Sequence, residues 1–473
     1  MFSKDVYSGR RAALKKEINK GIALFPANNE APFNYPDNTY HYRQDSNFSY
    51  FFGLNHPDMV GVIDFESGDE ILFGLDVTIS DIIWCGPLPS LKEQAEQIAI
   101  TDARDYRQFG EYVQQALKKG RQIHLLPPYR ADTKIQLAEW LNTDLAGVAS
   151  HVSEELIKAV VKLREVKSDI EIAEMEKAAN TAYFMHTTAM KMCKPGIKEQ
   201  EIAGTIEGIA LANGGPVSFP VILSVDGQTL HNHNHHNILK EGRMMVVDAG
   251  AETENYYASD FTRTIPVGGK FNSRQRDIYE IVLKANMEVA GNTRPHIPYM
   301  VMHTLACRTI IEGLKDIGLM KGNTDDALMN GAHYLFMPHG LGHQLGMDVH
   351  DMEGLGENYV GYNDLTPRSP MMGFSSLRCG KHLKPGFVVT DEPGIYFIPA
   401  LIDIWKGENK LAEFINYDKV ETYKDFGGIR IEDDLLITED GNRILGRPIP
   451  KTVDEVEDMC AQGREWVKIP GLY

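Results

Sequence analysis

The sequence predicts an α/β unit over residues 1–155 followed by an α+β unit over residues 156–473. Three observations carry this prediction. The 473 residues are too many for one compact core. The first ~155 residues alternate short β-rich runs with helical stretches. From Glu154 the pattern changes to a long helical run, and two β-rich halves then follow with helices between them.

In the first unit, Met59–Phe65 (MVGVIDF) and Ile71–Phe73 read as strands joined by the turn signal Glu66-Ser-Gly-Asp. Leu91–Ile98 and Phe109–Lys119 read as helices, and Ile123–Leu126 as a further strand. Residues 154–192 predict two helices with a break near Ser168, stopped at Lys194-Pro195-Gly196, because proline cannot continue a helix and glycine accepts the left-handed cap. A helix over Glu199–Asn213 ends at Gly214-Gly215. A β-rich stretch (217–268), two helices (273–291 and 298–317), a second β-rich stretch (336–438) and a terminal helix (Val453–Gln462) complete the chain.

Composition narrows the function classes. Hydrophobic residues make up 43% and charged residues 24%, an ordinary globular profile. The 66 acidic against 48 basic residues leave a charge of −18, which disfavours nucleic acid and anionic membranes as partners. No run approaches the ~20 apolar residues of a membrane span. The first thirty residues carry Asp5, Glu17 and Glu30 and no apolar signal region, so a cytoplasmic location is expected. Five scattered cysteines, none in a C-x-x-C pair, predict reduced and mostly buried thiols.

The chemistry sits in five segments. Met244-Met-Val-Val-Asp248-Ala-Gly ends an apolar run in a carboxylate. Tyr256-Tyr-Ala-Ser-Asp260-Phe-Thr-Arg-Thr follows after a plausible turn, so a hairpin would bring Asp248 and Asp260 together. Phe387-Val-Val-Thr-Asp-Glu392-Pro-Gly ends another apolar run in a carboxylate. In Gly427-Gly-Ile-Arg430-Ile-Glu432, Arg430 and Glu432 project to one face. Four carboxylates in β-runs are costly to bury unpaired, and hard cations with oxygen ligands offset that cost. The fifth segment, His339-Gly-Leu-Gly-His343-Gln-Leu-Gly-Met-Asp-Val-His350, could be read as a helical zinc face, but its glycines favour a loop or strand with one ligand histidine. One imidazole and four carboxylates suit manganese, cobalt or zinc in a binuclear site better than a structural zinc site.

With these segments in view, the sequence resembles the metallopeptidase family of prolidase and aminopeptidase P, the pita-bread fold, with a creatinase-like N-terminal domain. Tyr42-Arg-Gln-Asp-Ser-Asn-Phe48 followed by Gly53 is a family-like run in the N-terminal domain. The resemblance implies that Asp248, Asp260, His343, Glu392 and Glu432 hold two metal ions. It implies that Glu392 also moves a proton, that His231, His339 and His350 contact substrate or its tetrahedral intermediate, and that Arg430 braces the site. A homodimer is implied as well. Two departures stand out. Twelve positions separate Asp248 from Asp260 where the family has eleven, which a bulge or a longer turn would absorb. Asp391 stands where the family commonly has an apolar residue.

The implied reaction is hydrolysis of the bond before proline, with Xaa-Pro dipeptides favoured over longer Xaa-Pro peptides. Arg378 matches the prolidase arginine that clamps the dipeptide's carboxylate, and an arginine fork suits that task. The long segment Pro399–Phe426 also looks more like prolidase. An aminopeptidase P activity is the alternative. A catalytically inactive pita-bread binding protein is the alternative from another class, and the presence of all five ligand positions weighs against it.

Overall fold

The structure, a computed structural model, describes residues 1–463. The chain divides into two compact units: Met1–Arg164 with Met352–Tyr359, and the chain from Glu165 onward apart from that short segment.

In the first unit a five-stranded sheet runs in the order Asp102–Asp105, Glu70–Gly74, Val60–Asp64, Ile22–Pro26, Ile123–His124. Its central pairings are antiparallel and its two outer ones parallel. The expected helices are present as Leu91–Gln97 and Phe109–Lys118. Leu24, Val62, Phe73, Phe109, Val113 and Leu137 fill the core between sheet and helices. The run Tyr42–Phe48 is architectural within this unit. Asp45 caps the helix Ser46–Phe52, accepting from the amides of Asn47 and Phe48 at 2.9 Å. Gln44 is fully buried and ties the amide of Asn28 to the carbonyls of Leu54 and His56.

The second unit contains two packed helix pairs, Asp169–Met192 with Glu199–Ala212 and Ser273–Asn292 with Tyr299–Asp316, each followed by antiparallel strands. The break expected near Ser168 is a helix start: Ser168 and Glu171 form a reciprocal capping box. Leu341, Leu377, Phe387, Val389 and Leu435 pack under the second helix pair through Val289, Tyr299 and Met302.

Strand pairing in this unit aligns residues from distant segments on one rung. Asp248 faces Ile222 on one side and Thr262 on the other. Thr262 in turn bridges Glu432. The pairs Asp391–Asp433 and Gly394–Arg430 share one register, which sets Glu392 opposite Glu432 where Pro393 interrupts the ladder. The amide of Glu392 donates to the carbonyl of Leu341 at 2.9 Å, extending the rung to the segment that carries His343. Directly opposed residues of antiparallel strands point the same way, so Asp248, Thr262, Glu432 and Glu392 share a face. Residues two positions along the strands, Asp260, Arg430 and His343, join them.

The hairpin expected around Asp248 and Asp260 holds a single register from Met244–Pro266 through the Glu252–Ala258 bridge. It closes over Glu254–Tyr256, with Tyr256 at φ 66°. No bulge interrupts it, so the turn is where any additional residue is accommodated.

The opposite face of the same rung carries its own charge cluster. The guanidinium of Arg263, fully buried, donates to Asp433 Oδ1 at 2.7 Å and to the carbonyls of Thr262, Glu432, Ile449 and Pro450 at 2.7–3.0 Å. Lys451 Nζ reaches Asp433 Oδ2 and Asn286 Oδ1, both at 2.7 Å. Burial alone would raise the Asp433 carboxyl, but Arg263 and Lys451 together hold it well below the usual range. Asp391, the unexpected acid, belongs to this cluster: Asn286 Nδ2 donates to its Oδ2 at 3.1 Å, and burial holds its carboxyl well above the usual range. It therefore points away from Glu392.

Removing the cation that clamps both strands leaves Asp433 buried with one partner fewer. Arg263→Met should destabilise the catalytic unit by about 3–5 kcal/mol at neutral pH, measured as lost hydrogen-exchange protection in the strands Thr262–Pro266 and Asp433–Ile437. Asp433 is depressed in the folded state, so its contribution is present above the unfolded carboxyl value and lost in acid. The gap between wild type and variant should therefore narrow as pH falls below about 4.

Candidate active site and metal centre

A cleft in the second unit is lined by Asp248, Asp260, His343, Glu392 and Glu432 together with His231 and His350. Seven of the ten residues singled out from the sequence thus meet in one place. Of the other three, Arg378 and His339 do not line it, and Arg430 lies beneath it.

The rung accounts for the arrangement. Asp260, His343 and Glu432 each offer a ligand atom, and these atoms lie within 4.8 Å of one another. His343 Nε2 is 3.4 Å from Asp260 Oδ2 and 3.8 Å from Glu392 Oε1. Its Nδ1 is 3.0 Å from the carbonyl of Gln344, to which it donates, so the ring turns Nε2 toward the carboxylates. The segment around His343 is extended rather than helical and pairs with Val388–Asp391. Gly342 makes that pairing feasible, since a Cβ there would stand 2.0 Å from the Thr390 carbonyl oxygen. Glu392 is the most accessible of these carboxylates, with its side chain 20% exposed against 7% for Asp260 and 11% for Asp248. It therefore faces the cleft's solvent.

Electrostatics show what the cluster lacks. Burial raises the carboxyls of Asp260, Glu392 and Glu432 well above the usual range, and neighbouring carboxylates push them further. Arg430 opposes that rise in all three. Asp248 Oδ1 and Asp260 Oδ1 are buried and make no hydrogen bond among the described residues. Orphaned carboxylate oxygens on one face with an oriented imidazole fit hard or borderline divalent ions, so the donor set suits divalent metal binding.

Arg430 ties the site together from below. It donates to Asp248 Oδ2 at 2.5 Å, to Thr262 Oγ1 at 3.1 Å and to the Tyr396 hydroxyl at 2.7 Å. The Thr262 hydroxyl in turn donates a hydrogen bond to Glu432 Oε2 at 2.6 Å. Burial works against the charge on Arg430, but Tyr396, Asp248, Glu432 and Glu392 outweigh it and hold the guanidinium protonated.

His339 is placed by the same chain of bonds. Its Nε2 meets the Tyr396 hydroxyl at 2.9 Å, its Nδ1 meets the Gly340 carbonyl at 2.7 Å, and Nδ1 is 3.8 Å from Glu392 Oε2. Burial and the nearby Arg430 lower its pKa to about 3, so the ring is neutral. His350 packs edge-on against His343 with centroids 4.2 Å apart. His231 is lowered by burial, with Arg430 adding to the effect. The positive charge of Arg378 acts on Glu392 without the side chain lining the cleft.

Several contributors were not singled out from the sequence. Tyr396 lies four residues past Glu392, on the same face by period two, and alternation could have found it. Thr262 follows from the hairpin register in the same way. Phe219 and Pro220 reach the cleft from a connecting segment with no periodic pattern, so nothing local marks them, whereas His233 lies in the histidine-rich run His231–His236 that the sequence displays.

Comparison with known proteins identifies the family. Residues 173–439 match metallopeptidase family M24, and residues 7–125 match the aminopeptidase P N-terminal domain. Human Xaa-Pro dipeptidase is 32% identical over 441 residues, covering 89% of this chain and 84% of its own length. A probable Xaa-Pro aminopeptidase from Fusarium vanettenii is 31% identical over 425 residues, covering 89% and 88%. Zinc-substituted aminopeptidase P from Escherichia coli, solved in complex with product, matches with a TM-score of 0.79 at 28% identity, covering 98% of this chain and 99% of that one. The chain belongs to metallopeptidase family M24 and is a peptidase in which an aminopeptidase P-type N-terminal domain precedes a pita-bread catalytic domain.

Proposed function

We propose that this enzyme hydrolyses the peptide bond before proline, with Xaa-Pro dipeptides as its preferred substrates. The observation that carries the reading is the single face on which Asp248, Asp260, Glu432, Glu392 and His343 converge. These five side chains would hold two divalent ions, with manganese the leading candidate and cobalt or zinc next. When bound, such ions supply an activated water and a polarised scissile carbonyl.

The chain's own residues do the rest. Glu392, the exposed carboxylate, takes a proton from the attacking water and delivers it to the proline nitrogen as the C–N bond breaks. That nitrogen carries no hydrogen before cleavage, so it cannot serve as a donor for orienting the substrate. His231 and His350, on the cleft wall, donate to the carbonyl as negative charge develops on its oxygen. His339 lies beside Glu392, and a turn of its ring toward the cleft would let it join them. Arg430 keeps Asp248 aimed through their 2.5 Å bond.

Arg378 is the residue that would narrow the substrate to dipeptides, by pairing with the free carboxylate after proline. Its charge already reaches Glu392, which supports a position near the cleft. The aminopeptidase reading is favoured by the likeness to aminopeptidase P over 98% of the chain. A cytoplasmic setting is supported by five cysteines that form no disulfide. A homodimer is supported by the helix Ile79–Cys85, which buries none of its residues and exposes Ile79, Ile83 and Trp84.

Dialysis against a chelator should abolish Xaa-Pro cleavage and manganese should restore it, read as Ala-Pro turnover; activity that survives complete metal removal would contradict the reading. Glu392→Gln should lower kcat by roughly 10²–10⁴-fold. Arg378→Ala should raise Ala-Pro-Ala cleavage relative to Ala-Pro. An unchanged ratio removes Arg378 from substrate selection, and a wild type that already prefers the tripeptide favours the aminopeptidase.

A further inference from the structure

A second group of metal-binding side chains lies in the catalytic unit outside the cleft. His303 and Cys307 occupy successive turns of the helix Tyr299–Asp316, four residues apart and so on one face. His333 comes from the short helical turn Ala332–Leu335. All three are fully buried, and each offers a ligand atom within 4.8 Å of the others.

The hydrogen bonds fix which atoms are on offer. The carbonyl of Gly373 can only accept, and it meets Nε2 of His303 at 2.7 Å and Nε2 of His333 at 3.5 Å. Both rings therefore carry their proton on Nε2, leaving Nδ1 as the lone-pair atom. This is how ligand histidines are commonly oriented, with the far nitrogen donating to a backbone carbonyl. Nδ1 of His333 is buried and makes no hydrogen bond among the described residues, while Cys307 Sγ stands beside the His303 ring, 3.9 Å from Nδ1 and 3.6 Å from Nε2. Gly373 permits the arrangement because it adopts φ +84°, and a Cβ there would stand 2.2 Å from His333 Nε2.

We propose that His303, Cys307 and His333 form a second, structural metal site that takes a thiophilic d¹⁰ ion, zinc or copper(I). One thiolate and two imidazoles are a soft set, unlike the oxygen-rich set of the cleft, so the two sites sort ions by softness. Zinc–nitrogen and zinc–sulfur bonds of about 2.0–2.1 and 2.3 Å would require the ligand atoms, which stand within 4.8 Å of one another, to draw together on binding. Binding forms a metal–sulfur bond and releases the Cys307 thiol proton to solvent, with no change of oxidation state. Burial raises that thiol, so the ion rather than the protein supplies the drive for deprotonation. The site would pin the helix Tyr299–Asp316 to the loop at Gly373.

The test uses the full chain, stripped of metal and titrated with cobalt(II) as the spectroscopic stand-in for zinc, and separately with copper(I). The expected result is a near-ultraviolet thiolate-to-cobalt band whose full amplitude matches one sulfur-ligated ion per chain, beyond any cobalt taken by the cleft, and which zinc displaces. It should vanish in Cys307→Ser, weaken in His333→Gln and persist in His343→Ala, because the cleft contributes no sulfur ligand. Copper(I) uptake that depends on Cys307, without a cobalt band, would identify copper as the ion. If neither ion binds in a Cys307-dependent way, or if the band survives Cys307→Ser, the three side chains are ordinary packing and the proposal fails. Loss of peptidase activity alone in His343→Ala bears on the cleft and leaves this site unaffected.

Discussion

The catalytic unit depends on one rung of antiparallel pairing that runs from Asp248 through Thr262 and Glu432 to Glu392. Opposed residues of antiparallel strands share a face, so the rung gathers carboxylates that are 184 positions apart in the chain at its extremes, Asp248 and Glu432. Gathering them is unfavourable in itself. Burial and mutual repulsion raise three of the carboxyls well above the usual range. The protein meets part of that cost with Arg430 inside the face and leaves the remainder for cations. The orphaned oxygens of Asp248 and Asp260 mark where that compensation is missing.

The reverse of the rung is solved differently. Arg263 and Lys451 neutralise Asp433 from within the chain, and Arg263 also satisfies the carbonyls of Thr262 and Glu432. Successive residues on one strand thus meet opposite fates: Glu432 faces the cleft and Asp433 faces a permanent protein cation. The β-ladder separates a face closed by the protein itself from one left open to ions and substrate.

Much of this was legible in the sequence because it rests on local patterns. Apolar runs ending in carboxylates mark strands, and period-two alternation puts Arg430 with Glu432. The glycines beside His343 exclude a helix, and the structure has an extended segment there. What the sequence could not give was pairing between segments distant in the chain. The opposition of Glu392 and Glu432 depends on a register set by Pro393 and the strands around it. Asp391 looked anomalous because its partner, Asn286, comes from a helix more than a hundred residues earlier. Phe219 and Pro220 carry no pattern at all, and His339 shows its bond to Tyr396 only in three dimensions. The group at His303, Cys307 and His333 is likewise assembled from two segments and a distant glycine carbonyl.

The alternation between Glu432 and Asp433 has a consequence for how the chain reaches this arrangement. A slip of one residue between the strands would turn Asp433 into the cleft and Glu432 onto Arg263, leaving both strands paired and both faces occupied by carboxylates. Backbone hydrogen bonding alone discriminates weakly between those alignments. The threefold clasp of Arg263 on Thr262, Glu432 and Asp433 recognises only the native one. Ions captured by the correctly aligned face would add their binding energy to that alignment and to no other. In this sense bound divalent ions would act as a proofreader of strand register during folding, before any substrate arrives.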